Sequence, residues 1–147
     1  MKIVTRTASA LALSAGLAVC GLTMTATSAL ADVFVSQSRI VPGPDAGTAT
    51  VYMVLKNTSR EDEVLMSASS PAATQITIYQ GLRKGGETVA TPTTNGLTIP
   101  AKRTLRLTPD GHYMTLSGVT GLQPGASVPI DLDFGTIPSK TIDVPVE

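Results

Sequence analysis

The chain of 147 residues contains no tryptophan, one cysteine, one histidine and only five aromatic residues. Each scarcity removes a class of function. The cysteine, Cys20, lies in an apolar leader, so the rest of the chain has no thiol. A thiol nucleophile, a thiolate metal site and a redox disulfide are thereby excluded, and a folded domain must be held by its core alone. A single histidine, His112, leaves nothing with which to build a multi-histidine metal centre. No G-x-S-x-G segment accompanies it, so nucleophilic catalysis finds no signature either. The sequence reads as that of a protein that is not an enzyme.

The leader itself is legible. Lys2 and Arg6 give a short basic start, Ala10 to Leu22 is an apolar run, and Ala29-Leu30-Ala31 has the small-x-small form of a signal peptidase site. The run is too short and too rich in Ala, Ser and Gly for a membrane span. A competing reading makes Cys20 a lipidated cysteine, against which Val19 stands where a lipobox has Gly, Ala or Ser. The expectation is a signal peptide over residues 1–31, a mature domain over 32–147 with no membrane span, and export to a periplasm or beyond the cell. Without Lys2 and Arg6, nine basic residues face eleven acidic ones, a net charge of about −2. That balance names neither nucleic acid nor an anionic membrane as partner.

What is present is the period of β-structure. Ala49, Val51, Met53 and Leu55 alternate with Thr50, Tyr52, Val54 and Lys56. Ile130, Leu132 and Phe134 alternate with Asp131 and Asp133, and Ile142, Val144 and Val146 repeat the pattern near the end. Further strands are expected over 33–41, 63–68, 75–80, 104–107 and 112–116. Pro42-Gly43-Pro44-Asp45, Asn57-Thr58-Ser59, Lys84-Gly85-Gly86, Asn95-Gly96, Pro109-Asp110-Gly111 and Pro124-Gly125 supply turns between them. No ten-residue stretch has a helical period. Many short strands with regular turns predict one all-β domain, an antiparallel sandwich or barrel. The polar run Thr88–Gly96 reads as a loop, and Glu61-Asp62-Glu63 as a solvated approach to a strand. Met53 shares a face with Val51 and Leu55, and Met66 lies in line with Val64 and Ala68, so both are expected in the core.

Three stretches, "ATVYMVLKNTSREDEVLMSASSPAATQITIY", "LTIPAKRTLRLTPDGHYM" and "LQPGASVPIDLDF", together resemble the periplasmic copper chaperone family PCu(A)C. The likeness spans nearly all of residues 32–147. It implies an antiparallel Greek-key β-sandwich of cupredoxin-like type, Cu(I) as cargo, and a copper-donating or copper-accepting envelope protein as partner.

The family's metal motif is His, ten residues, Met, twenty-one residues, His-x-Met. Set on His112 and Met114, it matches those two ligand positions and places Tyr79 and Ala90 at the other two. Set instead on the segment from Ile99 to Pro109, it moves the second His-x-Met to Tyr113 and Thr115. A one-residue slip in a strand turns every side chain to the other face, so the two frames disagree on which way the site points. Imidazole and thioether donors suit Cu(I), and His112 with Met114 is the expected half-site. The alternative leaves Met114 in the core and His112 as a structural residue at a strand edge. The domain would then be a metal-free extracytoplasmic module that binds a protein or an envelope component.

Overall fold

The computed structural model describes residues 32–147; the expected signal peptide and its cleavage motif lie outside the described residues. Among the described residues ten strands follow one another without a helix: β1 (Val33–Pro42), β2 (Thr48–Asn57), β3 (Glu63–Ser69), β4 (Gln75–Lys84), β5 (Glu87–Pro92), β6 (Leu97–Ile99), β7 (Thr104–Leu107), β8 (Tyr113–Ser117), β9 (Ser127–Phe134) and β10 (Lys140–Pro145). One sheet runs β1-β2-β8-β4-β5, with β7 also paired to β2; the other runs β10-β9-β3-β6. All strand pairs are antiparallel, and the chain crosses between sheets repeatedly, as in a Greek key. The fold is the expected all-β sandwich.

The alternating strands supply its interior. Val51, Met53 and Leu55 of β2 are buried, as are Ile130, Leu132 and Phe134 of β9 and Val144 of β10, while Asp131 and Asp133 are exposed. A disulfide-free domain of this size relies on such apolar burial for its stability. The chain is tied in from its first described residue. The Asp32 carbonyl accepts from both the backbone N–H and the Oγ1 of Thr58, at 3.0 Å each, and its carboxylate pairs with Lys140.

Four expectations are corrected. Met66 is exposed, because a register shift in the β3–β9 pairing between Leu65 and Ser67 places Glu63 and Leu65 inward and turns Met66 out. Glu63 is therefore not solvated: it is 3% exposed, and its carboxylate accepts from Thr136 Oγ1. The polar run Thr88–Gly96 is not a loop throughout, since its first half forms most of β5. Gly85 and Gly86, at φ 62° and 89°, make the two-residue turn that returns the chain onto β4. Finally, β6 forms within a segment that showed no strand pattern, adding Leu97 and Ile99 to the core.

Candidate metal centre

The expected site lies where β8 begins, between β2 and β4. Ile78 and Val51 flank Met114 in register, and Met114 is fully buried with them. Its thioether belongs to the core. His112 precedes β8 and is partly exposed. Its carbonyl accepts from Thr108 N at 2.7 Å, and Gly111 N donates to the Thr108 carbonyl at 3.1 Å, which closes the Pro109–Gly111 turn.

The His112 ring is occupied. Nδ1 accepts the backbone N–H of Gly81 at 3.2 Å. An imidazole that accepts at Nδ1 carries its proton on Nε2, which then has no lone pair for a metal. Ligating histidines have the opposite arrangement, donating through one nitrogen while the other binds. Copper at Nε2 would require a proton on Nδ1 facing the Gly81 N–H, two donors in opposition; copper at Nδ1 would require displacing Gly81. Burial also holds the imidazole below its usual pKa, in keeping with a neutral acceptor.

Tyr79 and Ala90 are not assembled with Met114. Ile78 pairs with Met114 and faces inward, so the next residue, Tyr79, faces out, where its ring stacks on Tyr113 with centroids 5.0 Å apart and planes 19° apart. Thr77 lies opposite Thr115 on the same outer face, and Ala90 lies opposite Gly81 in β5. Tyr79, Ala90, Tyr113 and Thr115 thus share the outer side of the six-stranded sheet, and Met114 projects to the inner side. His112 is linked to this group through Gly81, the cross-strand partner of Ala90. Among the described residues, no three His, Cys, Asp or Glu side chains gather at metal-binding separation.

Gly81 was missed by the motif reading. A Cβ there would lie 2.5 Å from the Gly111 carbonyl oxygen and 2.7 Å from its carbon. Only glycine lets the β7–β8 turn fold onto β4 and bring His112 to the Gly81 amide. A glycine inside a strand pattern is the available signal for such an approach.

Comparison with known proteins places this geometry. A family model described as "Putative lipoprotein LpqE-like" matches residues 28–146. A curated relative, "Putative lipoprotein Lxx21020" of Leifsonia xyli subsp. xyli, is 27% identical over 108 residues, 73% of this chain and 65% of its own length. The chain therefore spans about two thirds of that relative. Among solved structures, the copper-bound PCuAC domain from PmoF2 is 17% identical with a TM-score of 0.64, covering 78% of this chain and 92% of that one. The Cu(I) form of DR1885 from Deinococcus radiodurans is 28% identical with a TM-score of 0.61, covering 82% and 83%. The sandwich is that of the PCuAC domains.

Proposed function

Because the chain belongs to the LpqE-like family, we propose that it is an exported, copper-chaperone-related envelope protein with a degenerate Cu(I) site. Copper is its cargo, held weakly at His112 or shared with a copper-donating or copper-accepting envelope protein; the work is binding and delivery rather than catalysis. The supporting observation is the likeness to a Cu(I)-bound protein at 28% identity over most of both chains. Tyrosine, alanine and threonine stand where soft donors would be needed. Cu(I) favours thioether and imidazole, and this end of the sandwich offers one partly exposed imidazole and one buried thioether. A partner's donors would have to complete the shell.

A second reading is favoured by the His112–Gly81 hydrogen bond and the burial of Met114. In it the scaffold has been kept and copper abandoned, leaving a metal-free module that contacts a protein or an envelope component.

A Cu(I) competition titration under reducing conditions separates the readings. It compares wild type with Tyr79→His/Ala90→Met and with Tyr79→His/Tyr113→His/Thr115→Met, each with and without His112→Ala. Weak wild-type binding that His112→Ala abolishes supports the degenerate site. A gain in the first variant that His112→Ala reverses identifies His112 as a ligand. A gain in the second that is indifferent to His112→Ala places the ancestral site on the outer face. Binding by a restored variant but not by wild type supports the metal-free module, and no binding by wild type or by either variant sinks the copper reading.

The family's description as lipoproteins bears on the N-terminus. Mass spectrometry of the exported protein will show Asp32 as its first residue if the chain is cleaved after Ala31. A diacylated Cys20 instead makes it a lipoprotein tethered through residues 21–31.

A further inference from the structure

The net charge of about −2 conceals a division between the two faces of the sandwich. Outward strand positions of the six-stranded sheet carry Arg39, Lys56, Arg83 and Arg106 and no carboxylate, by the strand register among the described residues. Outward positions of the other sheet carry Asp131, Asp133 and Asp143 and no cation. On the cationic face is a recess of about 120 Å³, lined by Gln37, Arg39, Tyr52, Arg106 and Thr108 together with Met53, Val54 and Leu107.

The recess is built by an irregularity in β1. The β1–β2 register shifts by one residue between Ser36 and Arg39, and Gln37 sits at φ 50°, in the left-handed region that non-glycine residues rarely occupy. Bulges of this kind re-aim side chains, and strained backbone clusters at binding sites. Here the bulge sets Arg39 opposite Tyr52, with its guanidinium 5.4 Å from the ring centroid. Arg106 reaches the recess from β7, opposite Val54. The phenol holds the Arg39 guanidinium by a cation–π contact.

No carboxylate lines the recess. Arg39 has one ion-pair partner at the rim, Glu147 at 3.8 Å, with both side chains about half exposed; Arg106 has none among the described residues. A surface pair of that kind is weak and yields to a better acceptor.

We propose that this recess binds an oxyanion of the phosphate class. Two guanidinium forks, a phenol, a primary amide and a hydroxyl all supply donors, and a tetrahedral oxyanion presents acceptor oxygens to both forks at once, whereas a carboxylate engages one. The recess is small and open to solvent, with room for an oxyanion-sized group at its donors. Phosphate is presented to an exported protein in two forms, free in solution and as the headgroup of an anionic phospholipid, and both would meet the same five side chains. The inference does not rest on the copper reading, since the recess is built by β1, β2 and β7 and engages none of the candidate ligand positions.

The test uses the full exported protein in two arms. In the first, inorganic phosphate is titrated at low ionic strength while amide and arginine side-chain resonances are followed by NMR, with chloride at matched ionic strength as control. In the second, sedimentation with vesicles of phosphatidylglycerol and phosphatidylcholine is compared with vesicles of phosphatidylcholine alone. Arg39→Gln/Arg106→Gln is expected to weaken binding on the order of tenfold per guanidinium removed. Arg83→Gln, which removes a charge from the same face outside the recess, is expected to leave it within about twofold. Saturable phosphate shifts at Gln37, Tyr52 and Thr108 that the double variant abolishes support a free oxyanion. Vesicle binding that needs phosphatidylglycerol and is lost in the double variant supports the headgroup source. Absence of binding in both arms overturns the proposal, and so does binding that Arg83→Gln weakens as much as the double variant.

Discussion

Asn57 is the sharpest test of how the two sheets are joined. It ends β2 in the six-stranded sheet and is 1% exposed. Its Nδ2 donates to the Glu61 carbonyl at 2.8 Å and to the Ile99 carbonyl at 2.9 Å, and its Oδ1 accepts from Ser59 N at 2.8 Å. Ile99 belongs to β6 in the other sheet, so one side chain ties the β2–β3 turn to both layers. Asn57→Ala removes three hydrogen bonds, each worth about 1 kcal/mol net, and strands at least one buried carbonyl at about 1–3 kcal/mol. Partial relaxation and water entry reduce that total, so the expected loss is about 3–4 kcal/mol. For a domain of this size that corresponds to a fall in Tm of about 10–15 °C. Urea unfolding followed by circular dichroism measures it, with an unchanged m-value as the check that only stability moved. Asn57→Asp should recover little, because the carboxylate keeps the acceptor and loses both donors. A loss below about 1 kcal/mol for Asn57→Ala would refute the argument.

Other substitutions probe the remaining structure. Leu132→Ala should cost about 2–5 kcal/mol, while Asp131→Ala, on the exposed side of the same strand, should stay within about 0.5 kcal/mol of neutral; equal costs in urea titrations would deny the one-sided burial of β9. Gly81→Ala forces a Cβ against the Gly111 backbone and should cost about 1–3 kcal/mol. As the turn is pushed off β4 the imidazole loses burial, the cause of its lowered pKa, so that pKa should rise toward its usual value, which NMR titration of the imidazole reads. Because burial lowers the folded-state pKa of His112, the unfolded chain takes up its proton first. The stability His112 contributes is thus present above about pH 6.5 and declines as pH falls through that value toward the folded pKa. His112→Asn should flatten this slope, and a variant whose stability still tracks pH like wild type between about pH 7 and 5 would show that His112 is not its source.

The sequence alone determined the β-class, most strand positions and the inward faces of β2 and β9, because a one-sided strand writes its burial into alternate residues of its own segment. It also marked the turns, since Gly85-Gly86 and Pro109-Asp110-Gly111 carry their conformational preference locally. The tertiary structure decided what depends on partners distant in sequence. The register shift against β9 turned Met66 outward, and Thr136, 73 residues from Glu63, gave that buried carboxylate its donor. The return of the chain onto β4 made a strand of a polar segment whose own residues showed no period. At the candidate metal centre, spacing put His112 and Met114 within one motif but could not tell whether they share a face with Tyr79. That choice rests on the pairing of β4 with β8, where a shift of one residue exchanges the two sides of the sheet. Net charge, similarly, is a sum over residues, and only the register separated the cations of one face from the carboxylates of the other.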